Sequence, residues 1–156
     1  MTTSAQLPYL DEHATAIAAG IDEVWMALTG TVDRSFSRRP AASYARLIRC
    51  ADSTASGPRP LTEGSTIPGF RVAAATPGSE LVLAGRHRFS TYTLTFRLDR
   101  VDAGHSRVRA ETRAAFPGAA GRVYRLLVIG TGGHAVGMRR LLAGIRARAE
   151  SHARTM

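Results

Sequence analysis

At 156 residues with 44% apolar content, the chain has the size and composition of one ordinary domain with a core of its own, and neither disorder nor a membrane class is indicated. Its formal charge is +9, carried by arginine without a single lysine, and Cys50 is its only cysteine, which excludes an internal disulfide and a cysteine-built metal cluster. A basic chain can bind nucleic acid by neutralising phosphates, but these arginines are spread along the sequence instead of clustering with aromatics, and no nucleic-acid partner is expected.

Residues 10–19 have strand character, with His13, Thr15 and Ile17 on one face and Ala14, Ala16 and Ala18 on the other. Gly20-Ile21-Asp22-Glu23 opens a helix whose first-turn acids suit the helix dipole. Val24, Trp25 and Leu28 form its buried side, and Gly30 is read as its end. Residues 31–40 read as a connection. Residues 41–48 read as a second short helix with Tyr44, Leu47 and Ile48 inward, and a strand over 45–50 is the alternative. Residues 52–60 are a loop by composition.

Strands and turns follow: a short extended piece at 65–67, an interruption at Pro68-Gly69, a strand over 70–76 and a turn at Pro77-Gly78. Residues 80–88 place Leu81, Leu83, Gly85 and His87 on one face. Residues 91–101 alternate most cleanly, with Tyr92, Leu94, Phe96 and Leu98 pointing one way. After a turn at 102–104, residues 107–116 place Val108, Ala110, Thr112 and Ala114 inward and three arginines with Glu111 outward. Each strand has one apolar face, so one side of the sheet is expected to be buried. Glu23 and Glu111 read as surface residues.

The last long segment, 117–150, has helical periodicity: Val123, Leu127, His134, Met138, Leu141 and Ile145 share one face, flanked by Tyr124, Leu126 and Leu142. Gly130, Gly132, Gly133, Gly137 and Gly144 each cost about 1 kcal/mol relative to alanine inside a helix. A helix that keeps them needs close backbone approach or room for a ligand; otherwise it breaks near Thr131-Gly132-Gly133. The reading adopted is a continuous or kinked helix. Leu126 to Ala135 also matches strand, then G-x-G-x-x-A, then helix, the pattern that binds dinucleotides. That pattern needs a second parallel strand bearing an acid about twenty residues on. Here the chain offers only Glu150 near its end, so no nucleotide is assigned.

Strand, two helices, a meander of strands and a terminal helix make an α+β fold. The order resembles the helix-grip fold of the SRPBCC superfamily, which includes START-like lipid-transfer domains, Bet v 1-like proteins and polyketide cyclases. The resemblance is carried by Ile21-Asp22-Glu23-Val24-Trp25, by Glu63 to Val72, by Glu80 to Phe89 and by Tyr92 to Leu98. It runs from about residue 9 to 150 of a single domain taken as 1–156. It implies a curved antiparallel sheet wrapped around a long terminal helix, two short helices after the first strand, and an apolar cavity for a lipid, polyketide or similar molecule. It implies no particular ligand or activity.

Phe70, Leu83, His87, Tyr92, Leu94, Phe96, Phe116, Leu127, His134 and Met138 are the expected ligand contacts by their direction. His87, His134 and Tyr92 are the catalytic candidates if proton transfer occurs, because a neutral imidazole orients a carbonyl or moves a proton near neutral pH. Against this stands the ordinary buried histidine, bonded to backbone or water. His13, His87 and His134 come from distant segments without metal-ligand spacing, so no metal is assigned, and no cofactor is expected. The acidic residues offer no evident buried acid or base. A hydrophobic ligand is the expected partner, bound by a monomer or homodimer; an enzyme of the cyclase kind and a partner-binding module using the outer arginines are the alternatives. Arginines interrupt the one apolar-rich stretch, so no transmembrane span is expected. Met1 to Gln6 lacks a signal peptide's basic start and apolar run, and a cytoplasmic location is expected.

Overall fold

The computed structural model describes residues 7–155, so the leaderless start read at residues 1–6 lies outside the described residues. Strand β1 (Tyr9–Ile17) leads into helices α1 (Ile21–Ser37) and α2 (Arg39–Leu47). Strands β2 (Thr66–Ile67), β3 (Phe70–Thr76), β4 (Glu80–His87), β5 (Ser90–Asp102) and β6 (His105–Ala115) follow. The chain closes with α3 (Gly118–Arg125), a widened π-helical turn over Leu126–Gly130, and α4 (Gly133–Arg154).

The strands form one sheet in the order β1-β6-β5-β4-β3-β2, with every pairing antiparallel. Register slips between Tyr9 and Asp11, Val72 and Ala74, and Arg100 and Asp102 mark bulges, which bend a sheet and increase its twist. The curved sheet packs its inner face on α1 and α4. Ile17, Leu81, Leu83, Phe96, Val108 and Ala110 meet Val24, Leu28 and Val32 of α1 and Leu141, Leu142 and Ile145 of α4 in one buried cluster. Each such side chain contributes about 1.5–3 kcal/mol by leaving water. This is the helix-grip architecture, an α+β fold.

The inward faces of β4, β5 and β6 are those the alternation predicts. The outer face is less exposed than expected, because Thr93 and Thr95 of β5 are also buried. Thr95 lies between Val82 and Glu111, and Thr93 between Ala84 and Arg113, on strands that pair along both edges of β5. The Glu111 side chain is only 13% exposed and holds Arg97 at 3.5 Å and Arg113 at 2.7 Å, so it is less of a surface residue than its alternation suggests.

Four helical expectations need correction. Gly30 does not end α1, which runs on to Ser37. Val32 is fully buried and Phe36 packs on the core, and this burial outweighs the glycine penalty of about 1 kcal/mol. The connection read over 31–40 is therefore mostly helix. In α2, Ala45 and the following Ile48 turn inward as Tyr44 does in part, while Leu47 is 76% exposed. The terminal segment is broken, not continuous or merely kinked. Gly132 has φ +78°, a left-handed conformation that interrupts a right-handed helix, and the preceding turn is widened. The break changes which side chains face inward: Val123, Leu126 and Leu127 are more than half exposed. Residues 126–129 are helical and not a strand, so the dinucleotide pattern lacks its first element.

Candidate functional site

Between the sheet and the helices lies a cavity of about 260 Å³ with an almost wholly apolar lining. Its floor is Phe70, Tyr92, Leu94, Thr112 and Ala114 of the sheet. Its cover comes from Phe36 of α1, Ala41, Tyr44 and Ala45 of α2, Ile48 and Cys50 beyond it, and Phe116, Tyr124, Val128 and Ile129 around α3. His87 and His134 enter from opposite ends of the lining elements. The covering segment is pinned to the sheet by main-chain bonds from Arg88 N–H to the Ile48 carbonyl (3.0 Å) and from Ala51 N–H to the Arg86 carbonyl (2.9 Å).

Of the expected contacts, Phe70, His87, Tyr92, Leu94, Phe116 and His134 line this cavity. Leu83 and Phe96 do not; both are fully buried in the solid part of the core. They lie farther along strands whose outer ends alone border the open space. Met138 borders a neighbouring groove. Leu127 points to solvent at 65% exposure, because the π-helical turn rotates Val128 and Ile129 into the lining in its place.

The polar groups at one end are held by aromatic contacts. The Tyr92 hydroxyl donates to the Gly69 carbonyl at 2.6 Å, and Cys50 Sγ is 3.8 Å from that hydroxyl oxygen of Tyr92. That arrangement depends on Gly85: a β-carbon there would stand 2.3 Å from the Gly69 carbonyl oxygen and 2.6 Å from the Tyr92 ring. The His87 ring lies 4.8 Å from Tyr124 and 5.3 Å from Tyr92, centroid to centroid. Its Nδ1 accepts the Phe89 N–H at 3.0 Å, so the ring proton of the neutral form sits on Nε2. Tyr124 and Tyr44 hydroxyls meet at 2.5 Å, joining α3 to α2 across the cover.

Burial governs the ionisation of these groups. It lowers the His87 pKa, raises that of the Cys50 thiol, and pushes the Tyr92 phenol well above its usual range. Tyr124 is raised by burial first and by its bond to Tyr44 second. All four shifts favour the uncharged form.

The other end is built differently. His134 Nε2 lies 3.1 Å from Thr112 Oγ1 and 3.4 Å from Asp11 Oδ1. Asp11 Oδ2 is in turn 3.2 Å from His13 Nε2. Asp11 Oδ1 is buried without a hydrogen bond among the described residues, so its approach to His134 is electrostatic and not a formed hydrogen bond. Where the acidic residues are expected to offer no evident buried acid or base, Asp11, with its side chain 28% exposed, is a partly buried carboxylate beside two histidines. The signal was present: the period of two that turns His13 inward turns Asp11 the same way, and the bulge at Leu10 brings Leu10 into the lining as well. Phe36 falls in the stretch read as a connection and depends on how α1 crosses the sheet, whereas Tyr44, read as inward, and Tyr124, read on the flank of the helical stripe, do line the cavity. His13, His87 and His134 do not converge, and among the described residues no group of three metal-ligating side chains does.

No family model matches the sequence, and no curated protein sequence is significantly similar to it. Solved structures are similar to it over most of this chain's length. The Zhui aromatase/cyclase from Streptomyces sp. R1128 aligns with a TM-score of 0.59 over 92% of this chain and 94% of its own, at 13% identity. A protein from Thermobifida fusca aligns at 0.53 over 89% and 93%, with 21% identity. The di-domain aromatase/cyclase BexL of the BE-7585A biosynthetic pathway aligns at 0.54 over 90% of this chain and 46% of its own, at 15% identity. At these identities the likeness establishes the fold alone, the helix-grip fold shared with these aromatase/cyclase structures.

Proposed function

We propose that this helix-grip chain binds a hydrophobic small molecule in the cavity between its sheet and its broken terminal helix. The observation that carries the reading is the cavity itself, about 260 Å³ with an almost wholly apolar lining, partly covered by α2 and α3. Protein interiors are otherwise packed to crystal density, and an apolar space of this kind retains its stabilising effect only when something apolar fills it or the surrounding residues forgo those contacts. The few polar groups, the His87 Nε2 donor at one end and His134 at the other, suit a ligand with one or two carbonyl or hydroxyl groups.

Native mass spectrometry of freshly purified protein should show a carried-over apolar molecule, and an apolar fluorescent dye should be taken up. An Ala114→Phe variant, which fills the lining, should lose dye uptake about tenfold or more while keeping its circular dichroism. An empty spectrum together with no dye uptake by the unmodified chain sinks the reading.

A second reading is favoured by one specific contact. His134 lines the cavity with Asp11 Oδ1 3.4 Å from its Nε2, near enough for a small shift to form the carboxylate–imidazole bond that orients a ring for proton transfer. The aromatase/cyclase neighbours make a polyketide the natural substrate class for such chemistry. Replacing both His87 and His134 separates the readings. A binding protein loses affinity modestly, whereas a cyclase loses turnover of a poly-β-keto substrate altogether.

A further inference from the structure

A second concavity beside the cavity has a more polar lining. A groove of about 660 Å³ between α1 and α4 is lined by four arginines: Arg34, Arg38, Arg140 and Arg148. The hydroxyl residues Thr31 and Ser35 stand among them. Phe36, Phe70, Leu94 and His134 are walls of both spaces, so the groove opens where the apolar cavity begins.

Among the described residues, none of these guanidiniums has a carboxylate at ion-pair distance. The one bond made is from Arg34 to Thr31 Oγ1 at 3.5 Å. Asp33 and Glu150, acids on the same two helices, are taken by Arg59 and Arg146. A β-carbon on Gly30 would lie 3.5 Å from Arg34 Nη1 and 3.8 Å from Arg148 Cζ, so two positive groups from different helices converge on one point. Like charges brought together repel, and an anion between them relieves the repulsion.

Gly137 is an independent sign. Glycine weakens a helix relative to alanine, and it persists where backbones approach closely or where space must stay open. At Gly137 a β-carbon would meet nothing within 4 Å, so close packing does not account for it. Gly137 is exposed and lines the groove, so its missing side chain leaves that part of the opening clear. Gly144 differs, with Thr31 Cγ2 at 3.6 Å from such a carbon.

We propose that groove and cavity form one site for a single-chain anionic amphiphile, whose carboxylate or phosphate end lies among Arg34, Arg140 and Arg148 while its tail enters the cavity. This rests on the cavity reading above and adds the class of ligand. The interior agrees with it: Cys50, His87, Tyr92 and Tyr124 are all shifted by burial toward their neutral forms, so an ionised end belongs outside, among the arginines.

The test is competition of decanoate, decyl phosphate and neutral decanol against an apolar dye. At low ionic strength both anions, or one of them, should bind about five- to tenfold tighter than decanol, as two or three exposed charge contacts allow. Which anion is preferred identifies the end group. High salt should erase most of the preference. Arg140→Gln with Arg148→Gln should abolish it and leave decanol affinity unchanged. Gly137→Leu, which places a better helix former in the groove's opening, should weaken the anions without loss of fold. Equal binding of anions and decanol by the unmodified chain, or a preference that survives in the double variant, overturns the proposal and leaves the cavity reading standing. Failure of the dye, decanol and both anions alike to bind overturns both.

Discussion

Arg49 shows how a single residue records the demands of its neighbours. It follows α2 with φ 59°, the one non-glycine among the described residues in the left-handed region. Its conformation lets Cys50 N–H reach the Ala45 carbonyl at 2.9 Å and finish the helix, so Cys50 and Ile48 arrive at the cavity. A side chain costs about 1–2 kcal/mol there. Arg49→Gly should therefore stabilise the fold by about 0.5–1 kcal/mol in urea denaturation, and a destabilised variant would show that the arginine side chain contributes more than its backbone costs. His87 makes a pH-dependent contribution of the other sign. Its folded pKa lies below that of the unfolded chain because burial disfavours the charged ring, so between the two values the unfolded state holds more protons. Stability is then complete above the unfolded value of about 6.5 and falls as the pH drops through it toward the folded value. Comparing unfolding midpoints at neutral and mildly acidic pH should show a loss in the unmodified chain that is smaller in His87→Gln.

Among the elements, β4 and the terminal helix decide the shape of the site. In β4, Gly85 sits opposite Tyr92 of β5, and the absent side chain is what lets the Tyr92 ring cross the strand and its hydroxyl reach Gly69. Gly85→Ala should push the ring aside, cost about 1–3 kcal/mol by overpacking, and reduce dye uptake. Unchanged stability would mean that the ring moves freely and is no fixed wall. In the terminal segment, the left-handed Gly132 and the widened turn before it exchange the inward face from Leu127 to Val128 and Ile129. Leu127→Ser should accordingly change stability by less than about 0.5 kcal/mol, as at exposed positions generally, whereas a continuous helix would bury Leu127 and make the same change several times costlier.

For the whole molecule, the division is between a solid half and an open half. Phe96, Leu83 and Val108 meet the later turns of α4 without space, while the ends of β3 to β6 stand off from α2 and α3. Among the described residues, no helix is long and apolar enough to cross a membrane. A ligand that fills the open half binds only the folded chain, so decanol or decanoate at about 100 times its dissociation constant should stabilise by about 2.7 kcal/mol. For a chain of this length that is a rise of several degrees in Tm, absent in Ala114→Phe.

The period of two in β4, β5 and β6, the turns between them and the 3.6-residue stripe of α4 are local patterns, and the sequence alone determined from them the succession of elements, the inward faces of those strands and the α+β fold. Each records which side of a single element meets water. What only the tertiary structure decided were choices between elements: that α1 runs through Gly30 because Val32 and Phe36 find a core to enter, that the terminal helix breaks at Gly132, that Asp11 and His134 meet across β1 and α4, and that arginines from α1 and α4 converge beside an apolar space. Those outcomes depend on distances between segments far apart in the chain, and no periodicity within one segment encodes them.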